Sequence, residues 1–185
     1  MRTGNVTEKK YTYADYLLTE DEKRYEIYEG ELIMVPAPNT KHQRISWEIE
    51  FIMGKFVKEN NLGTILDAPT DVVLAEDVIV QPDILFISKE RGDIIKPQAV
   101  MGPPDLVVEI ASPSTSFYDT VKKRDIYQRY GVKEFWLVFP EEKAIEVMTL
   151  DEGIYREFAS AKGSGKVKSK VLAGLDVDLM EVFGM

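Results

Sequence analysis

Apolar residues in this chain fall into short β-branched runs, broken by two stretches of helical period. Ile45, Ile49, Ile52, Met53 and Phe56 recur at helical spacing, with Asn39-Thr40 as a cap, so a helix is predicted to about Asn60 with Gly63 just past its end. A second helix is predicted over 119–130, stopped by Gly131, with Lys123, Ile126, Tyr127 and Tyr130 on its inward stripe. Lys122 and Arg124 fall on its outer side. A short helix through Leu18 follows Thr12-Tyr13-Ala14-Asp15, which has capping-box form with Asp at the third position.

The remaining apolar runs read as strands. Residues 24–35 form a hairpin about Glu29-Gly30, in which Glu26 and Tyr28 share one face. One or two strands lie within 62–74, one within 78–87 and one within 104–113. After a polar loop at 89–102 and a Ser/Pro/Thr-rich loop at 112–116, residues 134–140, 144–150 and 154–158 form an antiparallel meander. A flexible glycine loop at 162–166, a strand at 167–171 and a short helix at 179–183 complete the chain; the loop glycines lack the strand–helix context of a phosphate-binding loop. The order predicts an α/β fold, a mixed sheet with flanking helices and a C-terminal meander. Residues 1–10 are expected to be loose and 11–185 to form one domain.

Two runs contain an acid where apolar residues are expected: Asp83 within Val78–Ile87 and Glu109 within Leu106–Ile110. A carboxylate in a core strand is costly unless paired, hydrogen-bonded or on a metal. Neighbouring strands would bring these two acids face to face, and Glu26 and Lys123 lie on elements that can converge with them. Each residue also has a plainer explanation. Asp83 after Pro82 could form a turn, Glu109 could be half of a buried ion pair with Lys123, Glu26 on a hairpin strand reads as a solvent-facing acid, and His42 reads as a core-edge residue.

Composition narrows the chemistry. With no cysteine and one histidine, thiolate and multi-histidine metal sites are excluded, so a metal would be a hard ion on oxygen ligands, Mg²⁺ or Mn²⁺. Such an ion suits phosphoryl chemistry, with Lys123 to orient or deprotonate water or to neutralise charge on phosphorus. No apolar run reaches the roughly 20 residues of a membrane helix, and no signal-peptide core is evident, so a cytoplasmic protein is expected. The formal net charge of −9 runs against a broad nucleic-acid footprint, although Lys122, Lys123, Arg124, Arg129 and Lys133 crowd one segment.

An ordered set of motifs carries a resemblance. Arg24-Tyr25-Glu26-Ile27-Tyr28-Glu29-Gly30-Glu31-Leu32, His42-Gln43, Gln81-Pro82-Asp83 and Asp105–Thr115 are followed by Asp119, Lys123, Arg124, Tyr127, Gly131-Val132 and Glu134-Phe135-Trp136. Over residues 12–158 the chain resembles the Uma-type restriction endonuclease family of the PD-(D/E)XK nuclease superfamily. The resemblance implies a restriction-endonuclease-like core and Mg²⁺-dependent cleavage of DNA. It assigns Asp83 and Glu109 as metal ligands and Glu26 as a further acid; His42, in the same ordered set, is an accessory candidate. The motif lysine, two residues after the acid, is replaced by Ala111, so Lys123 is the expected substitute. A homodimer is expected, because two sites about a two-fold axis can cut both strands, with 135–139 and the meander as interface elements. The alternatives are a non-cleaving nuclease-like binding or regulatory module, which Ala111 and the acidic composition favour, and a carboxylate site that stores a structural cation.

Overall fold

Segments that cannot satisfy their own backbone must pair edge to edge, and here they do so in two main sheets. The computed structural model describes residues 9–19, 23–112 and 117–184, with side chains in the last segment from residue 121 onward. The expectations for residues 1–8 and for most of the 112–116 loop fall outside these.

The chain begins with α1 (Tyr13–Tyr16), held by the full Thr12/Asp15 capping box, and the hairpin β1 (Tyr25–Tyr28) and β2 (Glu31–Met34). Helix α2 (Thr40–Glu59) is capped by the Asn39 side chain. Strands β3 (Gly63–Asp67), β4 (Val72–Ala75), β5 (Val78–Val80) and β6 (Ile84–Ser88) follow, then a 3₁₀ turn at Lys89–Ile94 and β7 (Val100–Met101). Strand β8 (Leu106–Ile110), helix α3 (Phe117–Arg129) and the meander β9 (Glu134–Phe139), β10 (Ala144–Asp151) and β11 (Ile154–Lys162) come next. The chain closes with β12 (Lys166–Lys168), β13 (Asp176–Asp178) and α4 (Leu179–Phe183).

The larger sheet has the order β11-β10-β9-β8-β6-β3, and a second has β2-β1-β5-β4-β7. β8 and β9 run parallel while β6 and β8 run antiparallel, so the larger sheet is mixed as expected. Both of its faces are covered. Leu106, Val108 and Ile110 pack with Ile45, Ile49 and Met53 of α2, whereas Val107 and Phe135 pack with Tyr127 of α3 and with Tyr28 and Val80 of the second sheet. This double burial explains why its strands read as unbroken apolar runs without alternation.

Several expectations need correction. The run 78–87 is two strands in different sheets, not one. Pro82 has no N–H to offer a ladder, and the Gln81 N–H is spent on the Glu26 carboxylate at 2.7 Å, so the chain leaves one sheet and enters the other at Gln81-Pro82-Asp83. Asp83 therefore stands at the mouth of β6 and not in mid-strand. The left-handed residue after α2 is Asn61 (φ 53°) rather than Gly63. Gly63 is required by close approach, since a Cβ there would lie 2.1 Å from the Ile87 carbonyl oxygen. Residues 135–139 lie in β9, an interior strand with Phe135, Trp136, Leu137 and Val138 buried and Phe139 partly so, which leaves no strand edge there for an interface. The pattern of apolar positions does not predict β13, whose end residues Asp176 and Asp178 are both acids.

Candidate active site

Strand register brings the two suspected acids together. Ile84 pairs with Val108, so one step further sets Asp83 opposite Glu109 on the face that also carries Leu85 and Val107. Asp83 is fixed from two sides: the Ile110 N–H donates to its Oδ2 at 2.7 Å, and His42 Nε2 stands 3.2 Å from the same oxygen. His42 is one turn into α2, whose inward face points it at the end of the sheet. Burial disfavours the charged imidazole, but the hydrogen bond and charge of Asp83, with Glu109 behind, overcome it and raise the His42 pKa.

Glu109 takes the Lys123 ammonium on both oxygens, at 3.1 and 3.0 Å, and the Tyr127 hydroxyl at 2.6 Å. Lys123 and Tyr127 are four apart on α3, one above the other on the stripe that the periodicity places inward. The same ammonium lies 3.0 Å from Oε1 of Glu26. Glu26 is only 3 % exposed, which overturns the solvent-facing reading. Its other oxygen accepts from the Tyr28 hydroxyl at 2.6 Å, its partner across one strand pleat. Glu26, Glu109 and Lys123 thus form a buried acid–ammonium–acid set, with Asp83 and His42 beside it.

Charge is redistributed accordingly. Burial drives the Glu109 carboxyl up, aided by the charges of Asp83 and Glu26 and opposed by Lys123 and Tyr127, to about 7. For Lys123, burial works against the ammonium, but Glu109 and Glu26 prevail and hold its pKa well above the ordinary lysine value. The side chain is therefore an ammonium at neutral pH and has no lone pair with which to deprotonate water.

His42, Asp83, Glu109 and Lys123 open on a groove of about 410 Å³, also lined by Arg24, Trp47 and Glu50. The donor set suits a hard ion. Among the described residues no donor meets Oδ1 of Asp83, and a carboxylate has about four lone-pair sites, of which Glu109 uses three. Among the described residues no group of three or more acids or histidines is spaced as a complete cage. An ion here would take most of its shell from water and phosphate, as Mg²⁺ does.

The acid pattern alone also misses residues that matter to the surroundings. Gln81 links the set outward, its side chain donating to Asp71 at 2.7 Å and accepting from Arg24 at 3.0 Å. Tyr28 and Tyr127 also supply hydroxyls to the two acids, a role that neither the hairpin face nor the helical stripe signals. The Gln81-Pro82 break was the available signal for Gln81, since a polar residue before proline between two apolar runs marks a chain that changes sheets. The basic segment at 122–133, by contrast, is largely consumed within the protein: Lys122 pairs with Glu31, Arg129 with Glu29 and Lys133 with Asp105.

Among the described residues no helix is long and apolar enough to cross a membrane. A crystal structure of a protein described as a "putative nuclease belonging to DUF820", from Anabaena variabilis ATCC 29413, superposes with a TM-score of 0.78 at 23 % identity, covering 94 % of this chain and 97 % of that one. It shares the fold. No curated protein matches. The family described as "Uma2: Putative restriction endonuclease" matches residues 11–180, nearly the whole length, and this chain belongs to that family.

Proposed function

We propose that the chain is a metal-dependent nuclease that hydrolyses phosphodiester bonds of DNA at the groove lined by Asp83, Glu109 and Lys123, with Glu26 buried behind the lysine. One observation carries this reading: a buried lysine from α3 is clamped between two acids from different sheets, directly beside the Asp83–Glu109 register pair. Ala111 leaves the motif lysine's place empty, and Lys123 brings an ammonium to the same carboxylate from the next helix.

Asp83 and Glu109 would hold Mg²⁺ or Mn²⁺ through carboxylate oxygens. When bound, the ion supplies Lewis acidity to a phosphoryl oxygen and acidifies water. Lys123 stabilises the negative charge that builds on the phosphoryl oxygens as water attacks in line and the 3′ oxygen leaves. Glu26 keeps the ammonium in place, and His42 fixes Oδ2 of Asp83.

The internal pairing of Lys122, Arg129 and Lys133 favours a second reading, a nuclease-like module that binds without cleaving, because it leaves little basic surface for a duplex on this segment. Calorimetric Mn²⁺ titration together with a Mg²⁺ cleavage assay separates the two. We expect wild type to bind the ion and cut DNA, and Asp83→Ala to lose both. Binding without cleavage selects the module. Equal Mn²⁺ affinity in wild type, Asp83→Asn and Glu109→Gln rejects the metal site altogether.

A further inference from the structure

Helix α2 spends its buried side on Ile45, Ile49, Met53 and Val57. On another side it displays two large rings that serve no core. Trp47 is 58 % exposed and Phe51 55 %, and the two are stacked with centroids 5.6 Å apart and planes 17° apart. They are four residues apart, so they form one line on the helix, and Trp47 is itself a wall of the groove that holds Asp83, Glu109 and Lys123. Exposed rings continuous with a reactive groove are a feature with a use to be identified.

Charge narrows the use. Besides Asp83 and Glu109, the groove carries the carboxylates of Glu50 and Asp67, against Arg24, His42 and Lys123. Lys123 is already matched by two acids, and the Arg24 Nε–H is taken up by the Gln81 side-chain oxygen. A DNA duplex presents phosphates on its outside and keeps its bases stacked within, so it meets this rim with its worst side. An unpaired strand can lay base faces on aromatic rings while a single phosphate turns in toward Lys123, a contact that needs few cations and little sequence. A second copy of the chain is a poorer occupant. A two-fold contact through this face would bring Glu48 and Glu50, close to Trp47 in sequence, from both copies onto a rim that is already acidic.

We propose that Trp47 and Phe51 are a stacking platform for unpaired bases, and that the groove takes single-stranded DNA in preference to duplex. This rests on the nuclease reading for its chemistry, yet its test does not require turnover. A labelled oligodeoxynucleotide of about 12 residues, single-stranded or annealed, is titrated with full-length protein in EDTA and followed by anisotropy. We expect the single strand to bind about ten-fold more tightly than the duplex or better, and Trp47→Ala and Phe51→Ala each to weaken it by about ten-fold, the size of one lost base stack. Trp47→Phe should restore binding.

Tryptophan emission gives an independent readout, because the other indole, Trp136, is fully buried with its Nε1–H on Glu134. Single-stranded DNA should quench wild type and leave Trp47→Phe unquenched while still bound. Duplex binding as tight as single strand, or single-strand binding indifferent to both alanine substitutions, overturns the proposal. So does a dimer that these substitutions split. If wild type cuts duplex DNA with Mg²⁺ but shows no strand preference, the platform fails and the nuclease stands. If it binds single strand as expected and cuts nothing, the nuclease fails and the platform stands.

Discussion

At the scale of single residues, Glu109 makes a pH-dependent contribution with a definite sign. Its carboxyl titrates at about 7 when folded and near 4.5 when exposed, chiefly because burial disfavours the anion. Between those values the folded state holds a proton that the unfolded state has released, so rising pH removes stability through this window. The Asp105 carboxyl behaves oppositely. Burial opposes its ionisation, but Lys133, the Ser88 N–H and Arg91 hold its pKa below the ordinary value, so its contribution is lost as pH falls. Comparing urea denaturation of wild type and Glu109→Gln isolates the first effect from the second. The stability of wild type relative to the variant should decline from about pH 4.5 to about 7 and level off above. A difference that stays flat across that range means that burial is not what governs this carboxyl.

At the scale of elements, helix α3 is where phase decides function. Lys123 points into the acid set while Lys122, one residue earlier, lies over the Tyr28 ring at 5.0 Å and pairs with Glu31. Lys123→Met should abolish cleavage. It also leaves Glu26 and Glu109 facing each other without their common cation, so it should cost on the order of 3 kcal/mol of stability, and the assay is best run at low temperature. Lys122→Met should retain activity and most of its stability, since an exposed pair of this kind is worth about 1 kcal/mol or less. Loss of cleavage in the Lys122 variant alone would mean that the wrong face of α3 serves the site. The element scale also shows what a buried acid does not prove. Glu134 on β9 is fully buried, yet it takes the Trp136 indole, the Ser169 hydroxyl and the Lys170 and Val171 N–H groups. It clamps the 169–171 segment to the sheet and faces no groove.

At the scale of the whole molecule, one groove per chain motivates pairing of two copies to cut both strands of a duplex. With β9 in the sheet interior, the free edge at β11 is the part of the meander left for it, and Ile154 and Phe158 there are exposed. We expect a dimer by light scattering at micromolar concentration, converted to monomer by Phe158→Asp. A monomeric wild type that still shows the single-strand preference of Trp47 and Phe51 would mean that one groove suffices and that the pairing idea is wrong.

The sequence by itself determined the elements and most of the reactive set. Helical period placed Lys123, Ile126 and Tyr127 on one stripe, the Thr12/Asp15 box appeared as written, and the acids Asp83 and Glu109 stood out because apolar runs make a carboxylate conspicuous. Local pattern carries this information because backbone period and side-chain polarity act over a few residues. Tertiary structure decided the rest. Only sheet pairing shows that 78–87 is divided between two sheets, that Glu26 is buried under Lys123, and that the α3 cations are matched by hairpin acids far away in sequence. An isolated strand does not encode its partner, and a charge does not encode whether its neighbour is water or a carboxylate. The stacked rings of Trp47 and Phe51 are a joint case: their spacing is sequence, but their place at the wall of the groove follows from where α2 lies against the sheet.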